Sequence, residues 1–349
     1  MKERIHYIDI AKAFAIFFIV FGHVIVHSEN SDLTLRFVCS FHVVLFFVLS
    51  GYTFNTNKPF KEFISQRFSR IMIPYFIWAV LFLVPYFILG GKAGEQLGTE
   101  QSFNIVTLLK NILYGNGNSA NLKQNSSLWF LPSLFTIEVF YYAIIKFSKN
   151  NKKREILFGI ILLICGYISA NYNKVILPWG INTMINIGIF FYIGYILSER
   201  KILDKFNVYW QTIISLVIGV FCCFYGNAKH ISYIDFYYGN YIYMILSGTF
   251  LSIFTISLSK IINENKILEY VGKNTMGILI FHKLFVLIFQ TKLGALSQLL
   301  MSSNLLVETI LAIIISIIAI SLSLVVNLPI KKYAPFLLGE RKKLAIKEK

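Results

Sequence analysis

The chain has 349 residues, of which 56% are hydrophobic and only 14% charged, and its mean hydropathy is +0.65. Soluble domains run at roughly 45–50% apolar and about 25% charged, and the excess here falls in long blocks, which excludes a soluble multi-domain protein. The net charge of +16 sits in short clusters between those blocks, as membrane topology signals do; no basic patch interleaved with exposed aromatics and no nucleic-acid motif accompanies it, so nucleic acid is excluded as a partner.

The first block starts basic and runs apolar to Val26. No small-residue cleavage site follows it, and it contains Lys12 and His23, so it is expected to be a retained first helix rather than a signal peptide. A helix rising 1.5 Å per residue needs roughly 20 apolar residues to cross a ~30 Å core. Ten blocks qualify in chain order: 7–27, 33–54, 71–90, 128–147, 156–171, 175–197, 208–226, 241–262, 275–291 and 305–329. The fifth and ninth are short. The expected fold is all-α, a polytopic helical bundle with about ten transmembrane helices: a membrane domain over 1–335 and a basic tail over 336–349. The long connection 91–127 is polar and rich in Gly and Asn.

Orientation follows from Lys and Arg. The even-numbered connections and both ends carry 25 of the 33, including Lys58, Lys61, Arg67, Arg70, Lys152, Lys153 and Arg154, against eight on the other side. The richer side is expected to be cytoplasmic, with both termini there, loop 91–127 outside, and the chain a multi-pass protein of the plasma membrane. Cys39, Cys165, Cys222 and Cys223 all lie in apolar stretches without metal-ligand spacing, and are expected to pack helices rather than bind metal or form disulfides.

Ionisable side chains inside a span cost several kcal/mol unless they face a cavity or a partner. The first block holds Asp9, Lys12 and His23, the second His42, the fourth Glu138, and the ninth His282 followed by Lys283. Lys12 and His23 are eleven positions apart, only about 20° beyond three full turns, so they share one helix face roughly 16 Å apart. Asp9 and Lys12, at i and i+3, can pair at one end of that face. The set is expected to converge on one internal tunnel; for His42 alone, a packing hydrogen bond is the favoured reading. Arg67 and Arg70 place two guanidinium groups where a helix enters the membrane, suited to bidentate contact with phosphates or to anchoring on anionic lipid.

These residues together resemble the acyltransferase 3 family of membrane O-acyltransferases, in particular its fucose 4-O-acetylase-like branch. Tyr7-Ile8-Asp9-Ile10-Ala11-Lys12 leading to Gly22-His23 is similar to the family's signature of a basic residue, a ten-residue gap and a histidine. Ser40-Phe41-His42 through Ser50-Gly51-Tyr52, Arg67-Phe68-Ser69-Arg70, Leu128-Trp129-Phe130-Leu131-Pro132 with Glu138, and Gly272-Lys273-Asn274-Thr275 with His282 follow in the family's order. Lys12 stands where many members carry arginine, and Val43-Val44 where Met-Pro is common.

The resemblance implies an O-acetyltransferase that takes acetyl-CoA from the cytoplasm as acyl donor, with no permanently bound cofactor. The acceptor would be a hydroxyl of a cell-surface glycan or lipid-linked sugar. His23, Lys12, Asp9, His282 and Glu138 are then the expected catalytic set, with His23 as general base in direct transfer or as a transient carrier of the acetyl group. Arg67, Arg70, His42, Ser50 and Trp129 are the expected substrate-binding set. A competing class is a proton-coupled exporter of a glycan or small metabolite. Exporters often show inverted repeats with broken helices in corresponding halves, and no such symmetry is visible. A scaffold within a polysaccharide assembly complex would not need the buried ionisable groups.

Overall fold

The computed structural model describes residues 5–25, 32–88, 104–115, 122–149, 151–172, 175–292 and 304–340. Among them the regular elements are helical, apart from a single antiparallel bridge between Ser232 and Tyr237. α1 (His6–Ile25) runs from the near side of the bundle to the far side. α2 (Asp32–Cys39) and α3 (His42–Tyr52) return as one span, and on the near side the hydroxyls of Tyr7 and Tyr52 meet at 3.3 Å. α4 (Phe60–Arg67), a π-helical turn (Phe68–Met72) and α5 (Ile73–Leu81) belong to one outgoing stretch, Phe60–Ile88. α6 (Ile105–Tyr114) lies in the following connection, and a 3-10 turn (Ser126–Trp129) then leads into α7 (Phe130–Ser148), which returns to the near side.

α8 (Lys152–Tyr172) goes out again, and α9 (Ile181–Ile187) with α10 (Ile189–Glu199) comes back across a 59° bend. α11 (Val208–Gly226) and α12 (Tyr241–Ile262) form a helical hairpin. α13 (Lys266–Lys273) and α14 (Thr275–Lys292) are joined across an 82° bend, and α15 (Leu305–Tyr333) completes the bundle. Among the described residues eight helices are long and apolar enough to cross a membrane, or ten crossings when each bent pair counts as one span. The expected all-helical bundle of about ten spans is what the chain forms.

The helix starts follow a repeated local rule. Asn104, Asn125, Asn207, Asn240, Asn265 and Asn304 each accept a backbone N–H in the first turn of the element they precede. An Asn cap satisfies donors that no residue of the helix itself can reach. Between helices, small residues let backbones touch, which is how helices associate where lipid is as apolar as leucine. A Cβ on Gly51 would stand 1.9 Å from the Phe191 carbonyl oxygen, and one on Gly194 2.0 Å from that of Val48, so α3 and α10 are in backbone contact.

α1 is the most buried of the eight long helices and packs against α3, α12, α13, α14 and α15. By contrast α8 turns Ile156, Leu157, Ile160, Ile161, Ile164 and Ile168 outward, an apolar face suited to lipid. Polar groups on α1 are therefore interior by position, whereas those on α8 reach the interior only at its ends.

Four features differ from the sequence reading. The third span starts at Phe60 rather than 71, because the polar stretch carrying Arg67 and Arg70 continues the same helix through the π-helical turn. The fifth reaches Lys152–Tyr172. Connection 91–127 contains α6, and its end, from Asn125 to Ser127, is buried; a helix of ten residues is too short to register as a span. Residues 336–340, assigned to the tail, are docked: Trp78 Nε1 donates to the Leu337 carbonyl at 2.8 Å, and Lys331 pairs with Glu340 at 2.6 Å. Residues 341–349 lie outside the described residues.

Candidate active site

The central helix carries its polar groups at two levels. Asp9 is buried, and Lys12 Nζ lies 3.8 Å from its Oδ1, the i,i+3 pair expected from the sequence. Gly272 of α13 rests directly on the Asp9 carbonyl, where a Cβ would come within 1.8 Å of the oxygen. His23 lies in the last turn of α1, and its ring centroid is 5.3 Å from that of His282 on α14, with 32° between the planes. Since Gly272 meets α1 at Asp9 and His282 meets it at His23, α14 rises beside α1 in the same direction. The two elements thus hold the cationic near-side group and the far-side imidazoles on one seam.

His282 is fully buried and its tautomer is determined by its partners. Nδ1 lies 2.8 Å from the Ile278 carbonyl, which can only accept, so Nδ1 carries the proton. In the neutral ring Nε2 is then an acceptor, and the Ser127 hydroxyl stands 3.4 Å from it. Ser127 and Ser126 begin the helical stretch that becomes α7, and Asn125 pins that start to α14. Its Oδ1 accepts from Ser127 N at 3.2 Å, while its Nδ2 donates to the Ile280 carbonyl at 2.8 Å. Lys283 Nζ donates to the Ser126 hydroxyl. Two neighbouring residues of α14 are therefore matched, one each, by two neighbouring serines.

A second centre lies on the near half of α7. Arg67 Nε is 3.0 Å from Glu138 Oε2, with Glu138 buried and the Arg67 guanidinium 5.4 Å from the Phe63 ring centroid. The nearby Tyr142 hydroxyl donates to the Lys58 carbonyl at 2.6 Å. Eleven residues separate Ser127 from Glu138, roughly 16 Å of helix, the same spacing as Lys12 to His23. Arg70 is exposed, and its carbonyl lies against Gly339, whose φ of +69° no side chain readily adopts.

The structure brings together His23 with His282, Asp9 with Lys12, and Arg67 with Glu138. The expectation that Glu138 joins the histidines gives way to an ion pair with Arg67, because Glu138 sits about three turns along α7 from the serines that meet His282. His42 is occupied elsewhere: Nδ1 bonds the Val38 carbonyl at 2.8 Å and its ring faces Tyr233 at 6.4 Å. Ser50 is half-buried beside the Gly51 contact, and its carbonyl accepts from the Thr53 hydroxyl at 3.4 Å. Trp129 is buried in the 3-10 turn, its carbonyl accepting from Ser133 Oγ at 3.0 Å. Asn125, Ser126 and Ser127 were not singled out from the sequence; the signal is three polar residues placed immediately before an apolar block.

Chemically, a buried imidazole beside a second imidazole and a hydroxyl can accept and return a proton in a place shielded from bulk water. An ion pair and a lysine–aspartate pair about 16 Å away offer cationic groups to a substrate that reaches through the interior.

A family model described as an acyltransferase domain matches residues 5–327, which takes in all the candidate site residues placed above. Comparison with curated proteins and with solved structures gave no match. The matched segment covers nearly the whole chain, and the chain belongs to the acyltransferase 3 family of membrane acyltransferases.

Proposed function

We propose that this acyltransferase moves an acetyl group from acetyl-CoA, presented on the cytoplasmic near side, to a hydroxyl of a cell-surface sugar or polysaccharide on the far side of the plasma membrane, in the manner of the fucose 4-O-acetylase-like branch. The carrying observation is the imidazole pair His23–His282, at 5.3 Å between α1 and α14. In this reading His23 takes the proton from the sugar hydroxyl as its oxygen attacks the thioester carbon. The C–S bond breaks as the tetrahedral intermediate collapses, and the proton passes from His23 to the departing CoA thiolate. The products are an O-acetyl ester and free CoA.

His282, fixed by Ile278 and Ser127, orients His23 and the hydroxyl. Arg67 and Arg70 bind the donor's phosphates; Glu138 engages Arg67 through Nε, and the Nη pair of a guanidinium is the fork that grips a phosphate end-on. Asp9 and Lys12 hold the thioester arm between the two levels, and Ser50 and Trp129 line the route.

Purified protein in liposomes, given acetyl-CoA labelled in the acetyl group and a mixture of surface glycans, tests the proposal. Label is expected in base-labile ester on the glycan, and His23→Ala is expected to abolish it while leaving the amount of folded protein unchanged. Undiminished transfer by His23→Ala overturns the assignment.

A further inference from the structure

Among the described residues Lys283 stands apart from the interior ion pairs. Lys12 has Asp9, Arg67 has Glu138, Arg200 has Glu155, Lys260 has Asp204 and Lys273 has Glu269. Lys283, half-buried in the middle of α14, has the Ser126 hydroxyl, and among the described residues no carboxylate comes within ion-pair distance of it. An ammonium held within a span is costly unless another charge compensates it. A hydroxyl supplies a dipole and no charge.

The surroundings add positive potential. Ser126 opens the helical stretch Ser126–Ser148, whose first N–H groups carry the positive end of the helix dipole. Ser127, the next residue, faces His282, the residue before Lys283. Ammonium, hydroxyl and helix start are thereby set beside the imidazole pair, on the side away from Lys12 and Asp9. The bonds from Asn125 to the Ile280 carbonyl and to Ser127 N hold this arrangement without any ligand.

We infer that Lys283 and Ser126 receive a fixed negative charge of the acceptor, and therefore that the acceptor is an anionic saccharide, with a carboxylate or phosphate close to the hydroxyl that is acylated. That the anion belongs to an acceptor rests on the function proposed above, whereas a Lys283 ammonium with no carboxylate at ion-pair distance among the described residues rests on the geometry alone.

Thermal unfolding of the full-length protein in detergent tests this with three probes: sodium glucuronate, glucose 1-phosphate, and neutral glucose with sodium chloride at matched ionic strength. The unfolding midpoint is expected to rise with one or both anionic sugars and not with glucose, and the responding anion identifies the charged group. Lys283→Met is expected to lose that rise while unfolding at or above the wild-type midpoint, because it removes an uncompensated cation. Equal responses to glucose and to both anionic sugars in the wild type overturn the inference, and so does an anion response that survives in Lys283→Met or Lys283→Gln. Acetyl transfer is scored separately. An anion response without transfer overturns the proposed function and leaves the site standing; transfer that favours neutral over anionic glycans overturns the acceptor class and leaves the function.

Discussion

Gly272→Ala places a methyl group where α13 rests on α1. The new Cβ would stand 1.8 Å from the Asp9 carbonyl oxygen, 2.6 Å from its carbon and 3.0 Å from its Cα. All three are backbone atoms, so no rotamer change relieves the clash. Ordinary contact begins at 3.4 Å, and the two helices must separate by the difference, 1.6 Å. Overpacking of this kind costs about 3 kcal/mol at the upper end of the usual range, offset by roughly 1 kcal/mol of helix propensity gained on replacing Gly. The net loss of about 2 kcal/mol is on the order of a 30-fold change in the folded-to-unfolded ratio. Because the displaced atom belongs to Asp9, one turn from Lys12, acetyl transfer is expected to fall about 100-fold, as misplacement by an ångström does.

Gly159→Ala is the matched control. Its Cβ meets Tyr192 Cε1 at 3.7 Å, an ordinary contact, and the variant is expected to be as stable as wild type or slightly more so. The assay is thermal unfolding in detergent followed by tryptophan fluorescence, with transfer measured on the same preparations. Equal midpoints for the two alanine variants would refute the backbone contact and, with it, the parallel course of α14 beside α1.

Two other variants probe the polar interior. Arg67→Met leaves the buried Glu138 carboxylate without its partner and is expected to lose about 3 kcal/mol, whereas Arg67→Met with Glu138→Gln recovers most of it. A double-mutant cycle read from unfolding midpoints checks this, and strict additivity would contradict the ion pair. Asn125→Ala removes both the bond to the Ile280 carbonyl and the cap on Ser127 N, an expected loss of about 2 kcal/mol. Its transfer rate should fall through kcat, since the serines that meet His282 and Lys283 lose their anchor; a change confined to the KM for acetyl-CoA would assign Asn125 to the donor site instead.

Several features were legible along the chain because they depend on local periodicity. Ten apolar blocks mark ten crossings, since the length needed to span hydrocarbon is fixed by helical rise and bilayer thickness. The Asp9–Lys12 pair follows from i,i+3 spacing, and the common face of Lys12 and His23 from an eleven-residue interval close to three whole turns. Resemblance to the family placed His23 and His282 in one site, and the family match over residues 5–327 agrees with the class of enzyme expected from those motifs.

Other features depend on which helix lies beside which, and no local pattern carries that. Arg67 and Glu138 are separated by 71 positions in sequence, yet a shared level on α4 and α7 makes them partners. Glu138 is expected among the histidines from its place in the fourth block; its level on α7, about three turns from the serines that meet His282, puts it beside Arg67 instead. Composition marks Asn125, Ser126 and Ser127 only as polar, and their importance comes from Asn125 reaching across to α14.

What the sequence by itself determined, then, is a multi-helix membrane acyltransferase and the list of side chains too polar to face lipid. The tertiary structure alone decided their grouping: imidazole with imidazole, arginine with glutamate, and a lysine with a serine where a carboxylate would be expected. The physical reason is that burial makes each such side chain require a partner, while the choice of partner is set by backbone contacts as close as that of Gly272 on Asp9.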